Sequence, residues 1–126
     1  IMGLMSGLLG HASKIDIDKV RSEFAPIMVD GEDLVMAYKL IRDMFVFTNK
    51  RLILVDKQGL TASKIEYQTI PYSKIVRFSK ESAGLLDLDA ELKIWVQGHT
   101  EPIKKEFKKD DSVNEIYQLL SKAILS

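Results

Sequence analysis

The sequence predicts a mainly β domain, a small and partly open barrel of seven antiparallel strands stoppered at one end by a C-terminal helix. Three observations carry this expectation. After Asp33, short apolar and β-branched runs recur between turn-forming residues, the texture of strands rather than helices. The final stretch, KKDDSVNEIYQLLSKAILS, carries the clearest helical spacing in the chain. With 126 residues, 46% hydrophobic and 29% charged, the chain has the size and balance of one domain with one core.

The N-terminal IMGLMSGLLGHAS is apolar and ends in small residues, but it lacks the positive leading region of a signal peptide. It is shorter than the roughly 20 apolar residues a bilayer span needs, and Gly3 and Ser6 miss the spacing of a myristoylation signal. Leu4 and Leu8, beside Gly3 and Gly7, are therefore expected to cover apolar surface on the chain's own core or on a neighbouring subunit. From Lys14 to Phe24, KIDIDKVRSEF reads as a short amphipathic helix, with Ile17, Val20 and Phe24 on one side and Pro26 closing it. Residues 1–30 make an N-terminal helical segment and residues 31–126 the domain itself. VDGED is a turn. Strands are expected at Leu34 to Ile41, Met44 to Thr48, Leu52 to Val55, Ala62 to Ile70, Ile75 to Ser82, Glu91 to Gln97 and Glu101 to Phe107. Turns at Arg42 and Asp43, TNK, KQG, IPYS and QGHT separate them. In the last helix Ser112 and Glu115 form a capping-box pair, Asp110 and Asp111 suit its positive end, and Val113, Ile116, Leu120, Ala123 and Ile124 form the apolar stripe.

In the later strands Ile65 and Tyr67 oppose Lys64, Glu66 and Gln68, and Leu92, Ile94 and Val96 oppose Lys93 and Gln97, so one face is wet. Trp95 falls on the polar side and belongs to the outer surface. The first three strands differ, because Leu52 and Leu54 back onto Ile53 and Val55, and Phe45 and Phe47 back onto Met44 and Val46. A barrel this small has one interior, so the second apolar face needs a cover from the N-terminal segment or another subunit. Phe45, Val46 and Ile53, with Leu4 and Leu8, are the expected oligomer-interface residues.

Basic and acidic side chains number 18 each, so no overall field draws the molecule to nucleic acid or to an anionic membrane. Cysteine is absent, which removes disulfides, thiolate nucleophiles and cysteine metal sites and suits a reducing cytoplasm. His11 and His99 have no partner at ligand or triad spacing. Asp87, Asp89 and Glu91 alternate on one side of a strand, yet lack the glycine and length of a calcium loop. No phosphate loop, nucleophile elbow or metal-binding histidine pair is present. No catalytic residue, metal site or cofactor is assigned, and a carboxylate-based hydrolase is a distant third reading.

The run RDMFVFTNKRLILVDKQG, followed by KIEYQTIPYSKIVRFSKESAGLLDLDAELKIW, resembles the bacterial pleckstrin-homology-like family, formerly a domain of unknown function. The matching elements are the Asp before the strand, FTNKRLI, the IPYSKI turn and DLDAELKI, and the resemblance spans residues 33–126. It implies two roughly orthogonal sheets capped by the C-terminal helix, and assembly into homo-oligomeric rings. Lipid-binding relatives gather Lys and Arg along the first two strands, whereas here Lys39 and Arg42 stand beside Asp43 and their loop is short. Lys50 and Arg51 are the best remaining basic pair, with Lys74, Arg77 and Lys80 farther along, and all five read first as surface charges. The expectation is a non-enzymatic, homo-oligomeric binding or scaffold module. Asp43, Thr48, Asn49, Lys50 and Arg51 are its candidate binding residues, because polar side chains interrupt an apolar sheet there; TNK also reads as a plain hairpin turn. The partners are further copies of the chain and an unidentified protein or small anionic ligand, with membrane binding weak and nucleic acid excluded. The alternative is a phosphate or anionic-lipid head-group module.

Overall fold

The computed structural model describes residues 13–40, 42–59, 63–82, 89–108 and 112–126. Leu4, Leu8, His11 and Asp87 lie outside the described residues. Eight strands are described, one more than expected, together with two α-helices. The additional strand, β1 (Ser13–Ile15), occupies the start of the segment expected to be helical. It pairs antiparallel with β2 (Leu34–Lys39), matching Ser13 with Lys39 and Ile15 with Ala37. Helix α1 is correspondingly shorter, Ile17–Phe24, and Asp16 caps it by accepting the Asp18 amide at 3.0 Å. With one β-branched residue among its three, Ser13–Ile15 has no strong strand preference of its own, so the vacant edge of β2 decides its conformation.

The remaining strands follow the expected order with shifted ends. β3 (Asp43–Thr48), β4 (Arg51–Gln58) and β5 (Lys64–Pro71) complete a five-stranded sheet in the order β1-β2-β3-β4-β5. β6 (Ile75–Ser82), β7 (Ala90–Val96) and β8 (Ile103–Phe107) form a three-stranded sheet in sequence order. Every pairing is antiparallel. Two predicted turns rest on glycines with positive φ, Gly31 at 81° and Gly98 at 89°, a region that side chains with a Cβ rarely enter. Helix α2 (Ser112–Leu125) closes the barrel, burying Val113, Ile116 and Leu120.

Register explains how a five-stranded sheet is apolar on both faces. Tyr38, Phe45 and Leu54 stand in one cross-strand row, and Phe47, Leu52 and Ile70 in another. Both rows point into the main core with Leu92, Ile94, Phe107 and the α2 stripe. The intervening row, Ala37, Val46 and Ile53, points the other way, where Val20 and Phe24 of α1 form a second core with Leu34, Met44 and Val55. The second face is thus covered by the chain's own helix at residues 17–24. Phe45, Val46 and Ile53 are all fully buried within the chain, so none offers surface to a neighbouring subunit. Of the two covers expected for this face, the N-terminal segment and another subunit, the first is supplied by α1, which lies within residues 1–30.

Strand β5 departs from the pattern. Its Lys64, Glu66 and Gln68 share the side of buried Ile70, while Ile65, Tyr67 and Thr69 lie on the α1 side. Residues 64–69 are exposed on both sides, where the sequence implied one dry face. The physical reason is position: β5 is the sheet's edge, and the barrel is open along it. Tyr67 still stitches α1 down, its ring edge-on to Phe24 at 5.8 Å and its hydroxyl donating to Glu23 at 2.7 Å. Trp95, by contrast, lies on the outer side of β7 as expected, with the Arg77 guanidinium 4.0 Å above its ring.

Candidate functional site

The polar interruption TNKR turns β3 into β4, and its geometry begins with Thr48. The Thr48 hydroxyl accepts the backbone amides of Lys50 and Arg51, both at 3.0 Å, which fixes the tight hairpin. The same hydroxyl donates to the Glu32 carboxylate at 2.6 Å. Arg51 completes the arrangement with Nε 2.8 Å and Nη2 2.9 Å from the two Glu32 oxygens, a bidentate pair. Its other donors reach Thr69 Oγ1 at 3.0 Å and the Ile27 carbonyl at 2.6 Å. Asn49 bridges the same loop, accepting the Asp33 amide at 2.8 Å and donating to the Gly31 carbonyl at 2.9 Å.

Electrostatics follow from burial. The Glu32 side chain is 1% exposed, and Arg51 beside it 17%. Arg51 hydrogen bonding holds the Glu32 carboxyl down at about 2, against the opposing effect of burial and with help from Thr48 and the Val29 amide. A carboxylate at this depth stays charged only because every lone pair is engaged. Thr48, Asn49 and Arg51 therefore clamp residues 27–33, the connection between α1 and β2, onto the hairpin. Asp43 is engaged elsewhere, by Lys105 at 2.7 Å. Of the five candidate residues, Lys50 alone projects an exposed side chain with no bond of its own described. The clamp's central residue, Glu32, escaped sequence reasoning, because it sits in a turn 19 positions from Arg51 and no local pattern joins them.

The other chemical candidates are also dispersed. Asp89 and Glu91 lie on different partners, Lys108 at 3.8 Å and Lys93 at 3.7 Å. No group of three His, Asp or Glu residues suited to a metal ion occurs among the described residues. His99 is an exposed turn residue whose amide donates to Val96. Among the basic residues, Arg77 lies over Trp95, Lys80 donates to Asn114 at 2.7 Å and Arg42 donates to the Gly59 carbonyl at 2.6 Å. The cations thus serve separate internal contacts, and they do not converge on one point.

What the molecule offers a partner is surface. Strand β5 is eight residues long, has β4 on one side, and no strand pairs its other side among the described residues. Its backbone groups alternate along that open side, and Ile65 beside it is 46% exposed. A second surface is an apolar groove of about 350 Å³ between the β2–β3 hairpin and the end of α2, reached by Thr48 and Asn49 from the clamp. No described helix is long and apolar enough to cross a membrane.

Comparison with known proteins matches this architecture. A sequence model of the bacterial PH domain matches residues 3–124. The chain is 53% identical over 121 residues to the uncharacterised protein YjqA of Bacillus subtilis strain 168, covering 95% of this chain and 97% of that protein. A DUF1696 family protein with a pleckstrin-homology domain from Shewanella loihica PV-4 superposes with a TM-score of 0.80 at 48% identity, covering 91% of this chain and 98% of the other. A pleckstrin homology domain from Shewanella amazonensis SB2B gives 0.82 at 49% identity, covering 88% and 100%.

Proposed function

Because the chain belongs to the bacterial PH domain family, we propose that it works as a non-enzymatic interaction domain that assembles with further copies of itself. The observation that carries this reading is the open edge of β5. Along its open side alternate residues turn their amides and carbonyls outward, with no strand paired there among the described residues, and a second strand is the partner that satisfies such a row without new folding. Native edges are usually blunted by brevity, proline or inward charge. Here the proline, Pro71, comes only at the strand's end; Lys64 and Glu66 put charge on the core side of the strand, while exposed Ile65 and Tyr67 leave its other side apolar. Zero formal net charge leaves no long-range repulsion between copies. The site that sequence reasoning assigned to TNKR acts on this reading as the clamp that fixes α1, and α1 in turn anchors Tyr67 of β5.

Light scattering tests the proposal. The wild-type chain should give a mass above the 14.3 kDa of one copy at micromolar concentration. Ile65→Lys combined with Gln68→Lys should return it to a single copy with its melting curve retained, because both side chains are exposed. A wild-type mass of one chain rejects self-assembly. An unchanged oligomer in the double variant rejects β5 as its seam.

A further inference from the structure

We propose that the groove between the β2–β3 hairpin and the last turns of α2 is a binding site for a small amphiphile, an apolar body carrying a terminal carboxylate. The groove begins with an irregularity in pairing. Leu34 faces Thr48 and Met36 faces Phe47, so Val35 is an extra residue with no partner across the ladder. Such bulges re-aim one side chain. Val35 turns toward the groove and remains 41% exposed, an apolar side chain that the fold leaves without cover. Opposite it, Leu119, Lys122 and Ala123 of α2 stand three and four residues apart, on one helical face. Phe47 and Tyr72 contribute the rest of the apolar wall.

Tyr72, Thr48 and Asn49, which lie around this wall with Ser126 and Lys122, are already engaged. The Tyr72 hydroxyl donates to the Thr48 carbonyl at 2.6 Å, and burial pushes its pKa up. The Thr48 hydroxyl is committed to Glu32 and the hairpin amides, and the Asn49 side chain to Asp33 and Gly31. Lys122 differs. It lines the groove, it is exposed, and it makes no ion pair among the described residues. A volume of about 350 Å³ falls at the small end of ligand sites, which pair apolar walls with a few placed polar groups. An apolar wall with one available ammonium at its rim selects an apolar chain ending in an anion, and a medium-chain carboxylate has that form. No β5 residue lines the groove, so its occupancy and self-assembly succeed or fail separately.

Octanoate titrated into the isotopically labelled full chain, followed by NMR, tests this directly. Saturable shifts should centre on Val35, Tyr72 and Ala123. Octanol, which lacks the charge, should bind about fivefold more weakly, the value of one solvent-exposed ion pair. Lys122→Glu, at an exposed position, should reverse the preference toward octylammonium. Ala123→Trp should fill the groove and abolish the shifts. Shifts that do not saturate, that centre elsewhere, or that survive Lys122→Glu with octanoate still preferred would overturn the assignment. Equal affinity for octanoate and octanol would overturn its anionic half.

Discussion

Glu32 and Arg51 show what one buried pair does in this molecule. With both partners present the charges satisfy each other; with Arg51 removed, Glu32 is left as a buried carboxylate with one hydroxyl and one amide for company. Arg51→Met is expected to cost about 3 kcal/mol in urea denaturation, the lower end of the range for breaking a buried pair. Pairing it with Glu32→Gln should recover part of that loss. The pH dependence has a definite sign. The folded carboxyl, at about 2, lies below its ordinary 4.5, so its contribution is complete above about pH 4.5 and is lost as pH falls toward 2. The shift corresponds to about 3 kcal/mol. Denaturation curves at pH 5 and pH 3 should diverge in the wild type and nearly coincide, for this contribution, in Glu32→Gln. At this scale the sequence showed Thr48, Asn49 and Arg51 as polar residues set in an apolar sheet, but not their purpose. Their shared partner comes from a different turn, and only the folded chain brings it near.

Helix α1 and the outer face of the first sheet are the two halves of one core. Its spacing of Ile17, Val20 and Phe24 was legible, and so was the second apolar face on the first sheet, yet nothing local said that one covers the other. The register rows show it, because Ala37, Val46 and Ile53 meet the helix and Phe45 does not. Phe24 is fully buried and touches Tyr67 edge-on. Phe24→Ala should therefore destabilise the fold by about 3 to 5 kcal/mol, as truncations of buried phenylalanine do. Val76→Ala is the comparison, since Val76 is 63% exposed on β6 and should change stability by no more than about 0.5 kcal/mol. Thermal or urea melts of the two variants distinguish them. A small effect at Phe24 would mean that α1 is held by the Glu32 clamp and not by its apolar face. The helix α2 shows the reverse relation: its stripe was read correctly, but Glu115 also faces away from its own helix. The nearby Tyr38 hydroxyl and then Lys14 hold the Glu115 carboxyl below its ordinary value, and the Lys14 ion pair at 3.4 Å ties α2 to β1. The Tyr38 hydroxyl is itself buried, and its geometry with Glu115 falls short of a formed hydrogen bond.

For the whole molecule, the distribution of cations decides how it meets a membrane. Eighteen basic side chains balance eighteen acidic ones, and Arg51, Arg77, Lys93 and Lys105 are occupied within the chain. Lysines contribute about 1 kcal/mol each at an anionic surface only when they gather there. Sedimentation with phosphatidylserine vesicles is expected to be weak at low salt and absent at physiological salt; salt-resistant binding would restore the head-group reading. The sequence by itself determined the class of fold, the strand order from Leu34 onward and the capping helix, because alternation, turn residues and helical spacing are local patterns that each segment carries alone. It also determined the balanced charge. Long-range packing sets the rest: Ser13–Ile15 joins the sheet, α1 covers the outer face, TNKR closes on Glu32, and β5 has no second strand beside it among the described residues. Each of these depends on which distant segment occupies an edge or a face. Residues 16 to 44 positions apart make those contacts, as Thr48 with Glu32 and Tyr67 with Glu23, and no local period records them.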